Sequence, residues 1–168
     1  MAFITSGTTV LSFATYDDVS DRDQRVFEAN EGLTVDVVED LLIRSTERIL
    51  SQLRSTDWWR AYYLKQSSTS VQSVADIPEL DAAKILSRQN DFTDLCVFHS
   101  FYYYIMPKIA DFSDENNAER QKIGHYQAKY NELLGELLTA GDWYDYDGDA
   151  TVESAEKAPS VVNLRRVR

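Results

Sequence analysis

Near the C-terminal end of the chain, the carboxylates are spaced for a cation. In Asp145-Tyr-Asp147-Gly-Asp149-Ala150-Thr151-Val152-Glu153-Ser-Ala-Glu156, acidic side chains fall at positions 1, 3 and 5 of a twelve-residue window, the pattern by which calcium loops surround a hard ion with oxygen. Thr151 takes position 7, where a backbone carbonyl coordinates, and Val152 takes position 8, where the loop needs an apolar anchor. Glu153 at position 9 would ligate through water, and Glu156 at position 12 would close the shell with a bidentate carboxylate. Two residues depart from the pattern. Position 6 carries Ala150 in place of the glycine that a positive φ favours, and Pro159 leaves little room for the exiting helix of a helix-loop-helix unit. The plain alternative is an acidic turn, solvated and metal-free. If calcium binds, its expected task is structural: neutralising clustered carboxylates orders the start of the segment that follows.

No second constellation of this kind is present. His99 and His125 are the only histidines, and neither stands beside a nucleophile motif or a second metal-ligand spacing. The six glycines are scattered, so there is no phosphate cradle. Cys96 is the single cysteine; it cannot form an internal disulfide, and its apolar neighbours mark it as a packing thiol. The expected class is a binding or assembly protein without enzymatic activity.

Composition narrows the partners. The chain has 168 residues, 43% of them apolar and 20 of them aromatic, enough for one domain with a sizeable core. Seventeen basic against 28 acidic residues give a net charge of −11, which opposes gripping a phosphate backbone. The longest apolar stretch, Leu95 to Met106, falls short of the roughly 20 residues a bilayer span needs. No basic start with a long apolar run marks a signal peptide, so a soluble protein is expected.

The elements that must position the acidic loop read as helices. Residues 1–14 are apolar and read as an extended arm seeking a partner. Thr15 caps a short helix, with Asp17 and Asp18 in its first turn, that runs to about Phe27. After Asn30-Glu31-Gly32, Thr34 caps a long helix with Val35, Val38, Leu41, Leu42, Ile49 and Leu53 on one face. The ring-rich segment from Asp57 to Leu64 predicts a short helix with Trp58 or Trp59 partly at a subunit contact. Residues 66–76 read as a loop or small hairpin, Pro78 opens a short helix through Leu86, and Asp91 to Ile109 reads as a central buried helix that Pro107 ends or kinks. Ser113 starts the last helix, striped by Tyr126, Tyr130, Leu133, Leu134, Leu137 and Leu138, and Gly141 stops it. The fold class is therefore an all-α bundle of about four to five helices. Its expected parts are the arm (1–14), the helical domain (15–141), the acidic loop (142–156) and an extended basic tail (157–168).

Four stretches carry a family likeness: Ala14-Thr15-Tyr16-Asp17-Asp18-Val19, Leu41-Leu42-Ile43-Arg44-Ser45-Thr46-Glu47-Arg48-Ile49-Leu50, Arg88-Gln89-Asn90-Asp91-Phe92-Thr93-Asp94-Leu95 and Gly141-Asp142-Trp143-Tyr144-Asp145-Tyr146-Asp147. In layout the chain resembles the helical head-to-tail adaptor, or connector, proteins of tailed bacteriophages from about residue 14 onward. The resemblance implies a ring of twelve copies in the virion beneath the portal protein. It also implies contact with a tail or neck protein (a stopper or tail hub) and DNA passing through the channel without sequence-specific binding. In that picture Arg165, Arg166 and Arg168 of the tail pair with acidic surface on the portal or a neighbouring subunit, while Val161, Val162, Leu164 and Val167 add apolar contact. The calcium-like loop is not a general mark of that family. The main alternative is a small calcium-binding regulatory module, which would normally pair two loops, and the sequence holds only one; a metal-dependent enzyme ranks last.

Overall fold

The computed structural model describes residues 3–66, 76–114 and 117–157. Its core runs from Phe13 through Leu42, Ile49, Phe92, Leu95, Phe101 and Leu137 to Trp143, all at most 1% exposed. The residues are mostly helical, as expected, with one small sheet. The basic tail, including Val161, Val162, Leu164, Arg165, Arg166, Val167 and Arg168, lies outside the described residues, as does nearly all of the Ser-rich segment after Gln66.

The N-terminus corrects the arm. Ile4–Ser6 (β1) and Thr9–Ser12 (β2) pair antiparallel around Gly7, whose φ of +64° suits the turn. Of the apolar residues that suggested a partner-seeking arm, Phe3 (9% exposed) and Phe13 (1%) face the chain's own core, while Leu11 stays exposed at 36%. Polar groups fix the junction, because the Phe13 N–H donates to Thr46 Oγ1 at 3.1 Å and Thr93 Oγ1 donates to the Phe13 carbonyl at 2.8 Å. Both hydroxyls are buried and satisfied, so neither opposes the packing.

Thr15 then caps the helix as expected, and a capping box ties it to Asp18: the Thr15 backbone N–H donates to Asp18 Oδ2 and the Asp18 N–H to Thr15 Oγ1. The first helix is two pieces, Tyr16–Arg22 (α1) and Gln24–Ala29 (α2), broken at Asp23. Asp23 turns to pair with Lys122. The long helix Val35–Ser55 (α3) buries Val38, Leu41, Leu42, Ile49 and Leu53 on one face, and Asp57–Gln66 (α4) follows.

Between α4 and the next helix, the segment opened by Pro78 is extended rather than helical. Only Ala82–Lys84 makes a 3-10 turn, capped by Asp81 Oδ1 accepting from the Ala83 N–H, and Ile85 then forms a strand bridge with Tyr144. Gln89–Ser100 (α5) is buried almost throughout and packs on α3 and on the last helix, as a central helix should. Pro107 does not end the run, which continues to Ile109. The chain instead widens to π geometry over Phe101–Ile105 before Met106–Ile109 (α6) closes it. A proline cannot donate its N–H and its ring crowds the carbonyl four residues earlier, and one wider turn relieves both.

The last helix, Ala118–Ala140 (α7), starts later than Ser113 because Asn117 Oδ1 accepts from the Arg120 N–H and caps it there. Gly141 ends it at φ +55°. Among the described residues no helix is long and apolar enough to cross a membrane.

Candidate functional site

The acidic loop is built onto the domain from its first residue. Asp142 receives Arg88 through Nε at 2.6 Å and through a second guanidinium nitrogen at 3.3 Å. That hydrogen bonding holds the Asp142 carboxyl below the usual carboxylate range. Trp143 and Tyr144 then turn inward at 0% and 4% exposure. The backbone pairs with the middle of the chain, since the Leu86 N–H donates to the Trp143 carbonyl at 3.1 Å and the Asp145 N–H to the Lys84 carbonyl at 2.9 Å. The Tyr144 hydroxyl accepts from the Asp81 N–H, and burial pushes that phenol up to about 12. Lys84 Nζ completes the attachment by donating to the Tyr146 carbonyl at 2.7 Å.

The loop then winds around its own carboxylates. Asp145, 3% exposed, accepts from Gly148 N at 2.7 Å and from Ala150 N at 3.0 Å, one on each oxygen. Gly148 and Ala150 both take positive φ, +82° and +70°. Ala150 thus adopts the left-handed turn despite its Cβ, at a cost of about 1 kcal/mol relative to glycine. Asp147 Oδ1 accepts from Asp149 N, and Asp149 Oδ1 accepts from both the N–H and the hydroxyl of Thr151.

Three of the six residues picked out by spacing come together. One oxygen each from Asp145, Asp147 and Asp149 lies within 4.8 Å of the other two, a separation that fits one face of a calcium shell. Glu153 and Glu156 stand outside that group. Glu156 is 5% exposed and serves the backbone: Oε1 accepts from Tyr146 N at 2.7 Å and Asp147 N at 3.1 Å, and Oε2 from Glu153 N at 3.0 Å. To ligate an ion, this carboxylate would have to share or leave three N–H donors. As folded, it is the clasp that closes the loop.

Replacing Glu156 with glutamine should therefore open the loop with or without metal. The amide puts a donor where the carboxylate accepted, leaving at least one of the three N–H groups unmatched at about 1–3 kcal/mol. Hydrogen exchange should show faster exchange at Tyr146, Asp147 and Glu153 with little change in α3. Unchanged protection at those amides would show that the clasp is dispensable.

Of the other titratable candidates, Cys96 and His99 are buried. Burial pushes the Cys96 thiol up to about 12, so it stays protonated at neutral pH. His99 is 1% exposed, with Nδ1 3.1 Å from Ser45 Oγ and its ring stacked on Tyr103 at 5.3 Å. Burial first, and the nearby Arg48 second, lower it to about 4. His125 lies exposed on α7. Trp59 is only 2% exposed and donates from Nε1 to the Pro78 carbonyl, whereas Trp58 is half-buried against Trp143. Of that pair, Trp58 is the one with surface left for a subunit contact.

No protein-family model, curated protein or solved structure matches this chain. The attachment of the loop to residues 81–86 is the feature that spacing alone did not reveal. Its signal was the adjacent pair Trp143-Tyr144, two large rings too apolar for a free acidic turn.

Proposed function

We propose that this chain is a structural virion subunit, a head-to-tail adaptor of a tailed bacteriophage that joins the portal to the tail or neck and continues the DNA channel. The observation that carries this reading is the fixed exit of the tail. Residues 142–146 are stitched to the domain through Arg88, Lys84, Trp143 and Tyr144, and Glu156 closes the loop back onto Tyr146 and Asp147, so the described chain reaches Lys157 from a defined point. The tail also opposes the body in charge. Without the three tail arginines, the rest of the chain has 14 basic and 28 acidic residues, a net −14.

An acidic body arranged around a channel repels DNA and avoids the sticking a basic wall would cause. A basic, apolar-studded tail then docks on acidic surface of the portal, trading its chain entropy for contact. Twelve copies would divide the task, and the chain itself performs no chemistry.

Co-sedimentation with the portal ring of the same virus tests the reading. The full chain should pellet with the portal, and a chain lacking residues 159–168 should stay in the supernatant while melting at the same temperature. Docking by the truncated chain would refute the role of the tail, and no docking by the full chain would refute the adaptor reading. A second reading, a small calcium-binding module, is favoured by the three aspartate oxygens lying within 4.8 Å of one another. Repeating the sedimentation in calcium and in chelator separates the two, since docking only with calcium would make the loop an assembly element.

A further inference from the structure

A hollow of about 450 Å³ lies between α1 and the first turns of α5, lined by Asp18, Asp21 and Asp94 among others. Asp94 also borders a second hollow, of about 230 Å³, that runs between α5 and α7 past Glu132 and Glu136. Phe98 and Leu133 give the second hollow an apolar wall, and the guanidinium of Arg22, which lines the first, stands 5.0 Å over the Phe98 ring. Some of the carboxylates are already matched: Asp94 pairs with Arg22, Glu132 with Lys129, and Asp18 accepts from Thr15. Asp21 and Glu136 are exposed and have no ion pair among the described residues. The groove therefore offers unmatched negative charge beside an apolar wall, a surface that repels phosphate and suits a basic segment studded with apolar side chains.

Such a segment begins nearby. Lys157 lies close enough to Asp142 to help hold its carboxyl down, and Asp142 takes Arg88, the residue that caps the start of α5, at 2.6 Å. Asp94 is only about 9 Å further along that helix at 1.5 Å per residue. Residues 158–168, outside the described residues, follow Lys157 with Val161, Val162, Leu164 and Val167, three arginines and no acid. From Lys157 an extended chain carries Arg165 up to about 26 Å, long enough to cross both hollows.

We propose that the groove along α1, α5 and α7 receives the chain's own tail, residues 158–168, with the arginines pairing to Asp21 and Glu136 and the apolar side chains packing on Phe98 and Leu133. A short tether places the tail at millimolar effective concentration beside its own groove, whereas two bodies of net charge −11 repel one another. Its own tail is therefore favoured over that of another copy. Exposed ion pairs are individually weak, so the tail rests there reversibly, and removing it leaves the melting temperature unchanged. The inference does not require the adaptor reading; under that reading, the portal competes with the groove for the same arginines.

The test uses the full chain with a nitroxide on Val167→Cys, read through its amide signals by NMR. Cys96 is buried and its thiol protonated, so the label goes to the tail. The signals of Asp21, Asp94 and Leu133 should be lost beside the nitroxide and return when ascorbate reduces it. They should persist in Asp21→Lys/Glu136→Lys, whose spectrum also reports that it folds, and in molar salt, where the Debye length shrinks to about 3 Å. They should persist as well in a mixture of isotope-labelled chain without nitroxide and nitroxide-bearing chain without isotope. Signals that survive in the parent chain, or that the double variant loses equally, would overturn the proposal. Loss in the mixed sample would assign the groove to another copy's tail and overturn it too. Because no portal is present, none of these outcomes bears on portal docking.

Discussion

Trp143→Ala should lower the unfolding free energy by about 3–5 kcal/mol, a large share of the roughly 5–15 kcal/mol that holds a typical domain together. The indole is fully buried, stacks on Trp58 at 4.5 Å and 24°, and meets the edge of Phe92 at 4.8 Å. Nε1 donates to the Leu137 carbonyl at 2.9 Å. That carbonyl also accepts from the Gly141 N–H, so its loss of the indole partner is partly covered. The main cost is the cavity among aromatic rings that have few ways to collapse. Urea denaturation should show the midpoint falling, and Trp58→Ala, at a half-buried position, should cost clearly less. A loss below about 1 kcal/mol would mean that the segment after Gly141 is an accessory to the domain and not part of its core.

The second large effect is a loss of stability on mild acidification, centred on His99. In the folded chain its value falls from 6.5 to about 4, driven by burial and then by Arg48. The unfolded chain therefore binds the extra proton between those two values, and stability falls as pH drops from about 6.5 towards 4. Above 6.5 the group is neutral in both states and contributes no slope. Its faces are occupied by Ser45, Arg48, Tyr102, Tyr103, Tyr104 and Tyr130, none of them an acid that could hold the imidazolium. The expected loss by pH 4 is about 3 kcal/mol. Asp142 acts in a different window: its lowered value contributes stability above the ordinary 3.8, lost only below that. Unfolding curves at pH 7, 5.5 and 4.5 should show the decline in the parent chain and a flattened slope in His99→Gln. An equal slope in both would assign the sensitivity elsewhere.

What the sequence made legible was local. Thr15 with Asp18, the apolar face of α3, the burial of α5 and the stop at Gly141 are each decided by residues within a few turns of one another, and the structure has them. The three aspartates that converge are also neighbours, spaced two apart. What escaped depends on distant partners. The hairpin looked like an arm because strands of three and four residues carry almost no period, and its anchors, Thr46 and Thr93, lie 33 and 80 residues away. Glu156 read as a ligand because spacing shows which residue occupies position 12 and not which N–H groups need an acceptor. Pro107 read as a break because a widened turn has no signature beyond the proline itself.

The stitching of residues 143–145 onto residues 84–86 has a consequence for synthesis. A nascent chain that has emerged only as far as Gly141 already holds every long helix, yet Trp58 and Phe92 still lack the indole that covers them, and the Leu86 N–H lacks its acceptor. Helices form early because their contacts are local, whereas this closure joins residues about 57–61 positions apart along the backbone and must wait for residues 143–145 to emerge. Until then the aromatic face is open to chaperones and to other nascent chains. The segment after Gly141 thus acts as a timing element: the aromatic core is closed only once Trp143 has emerged.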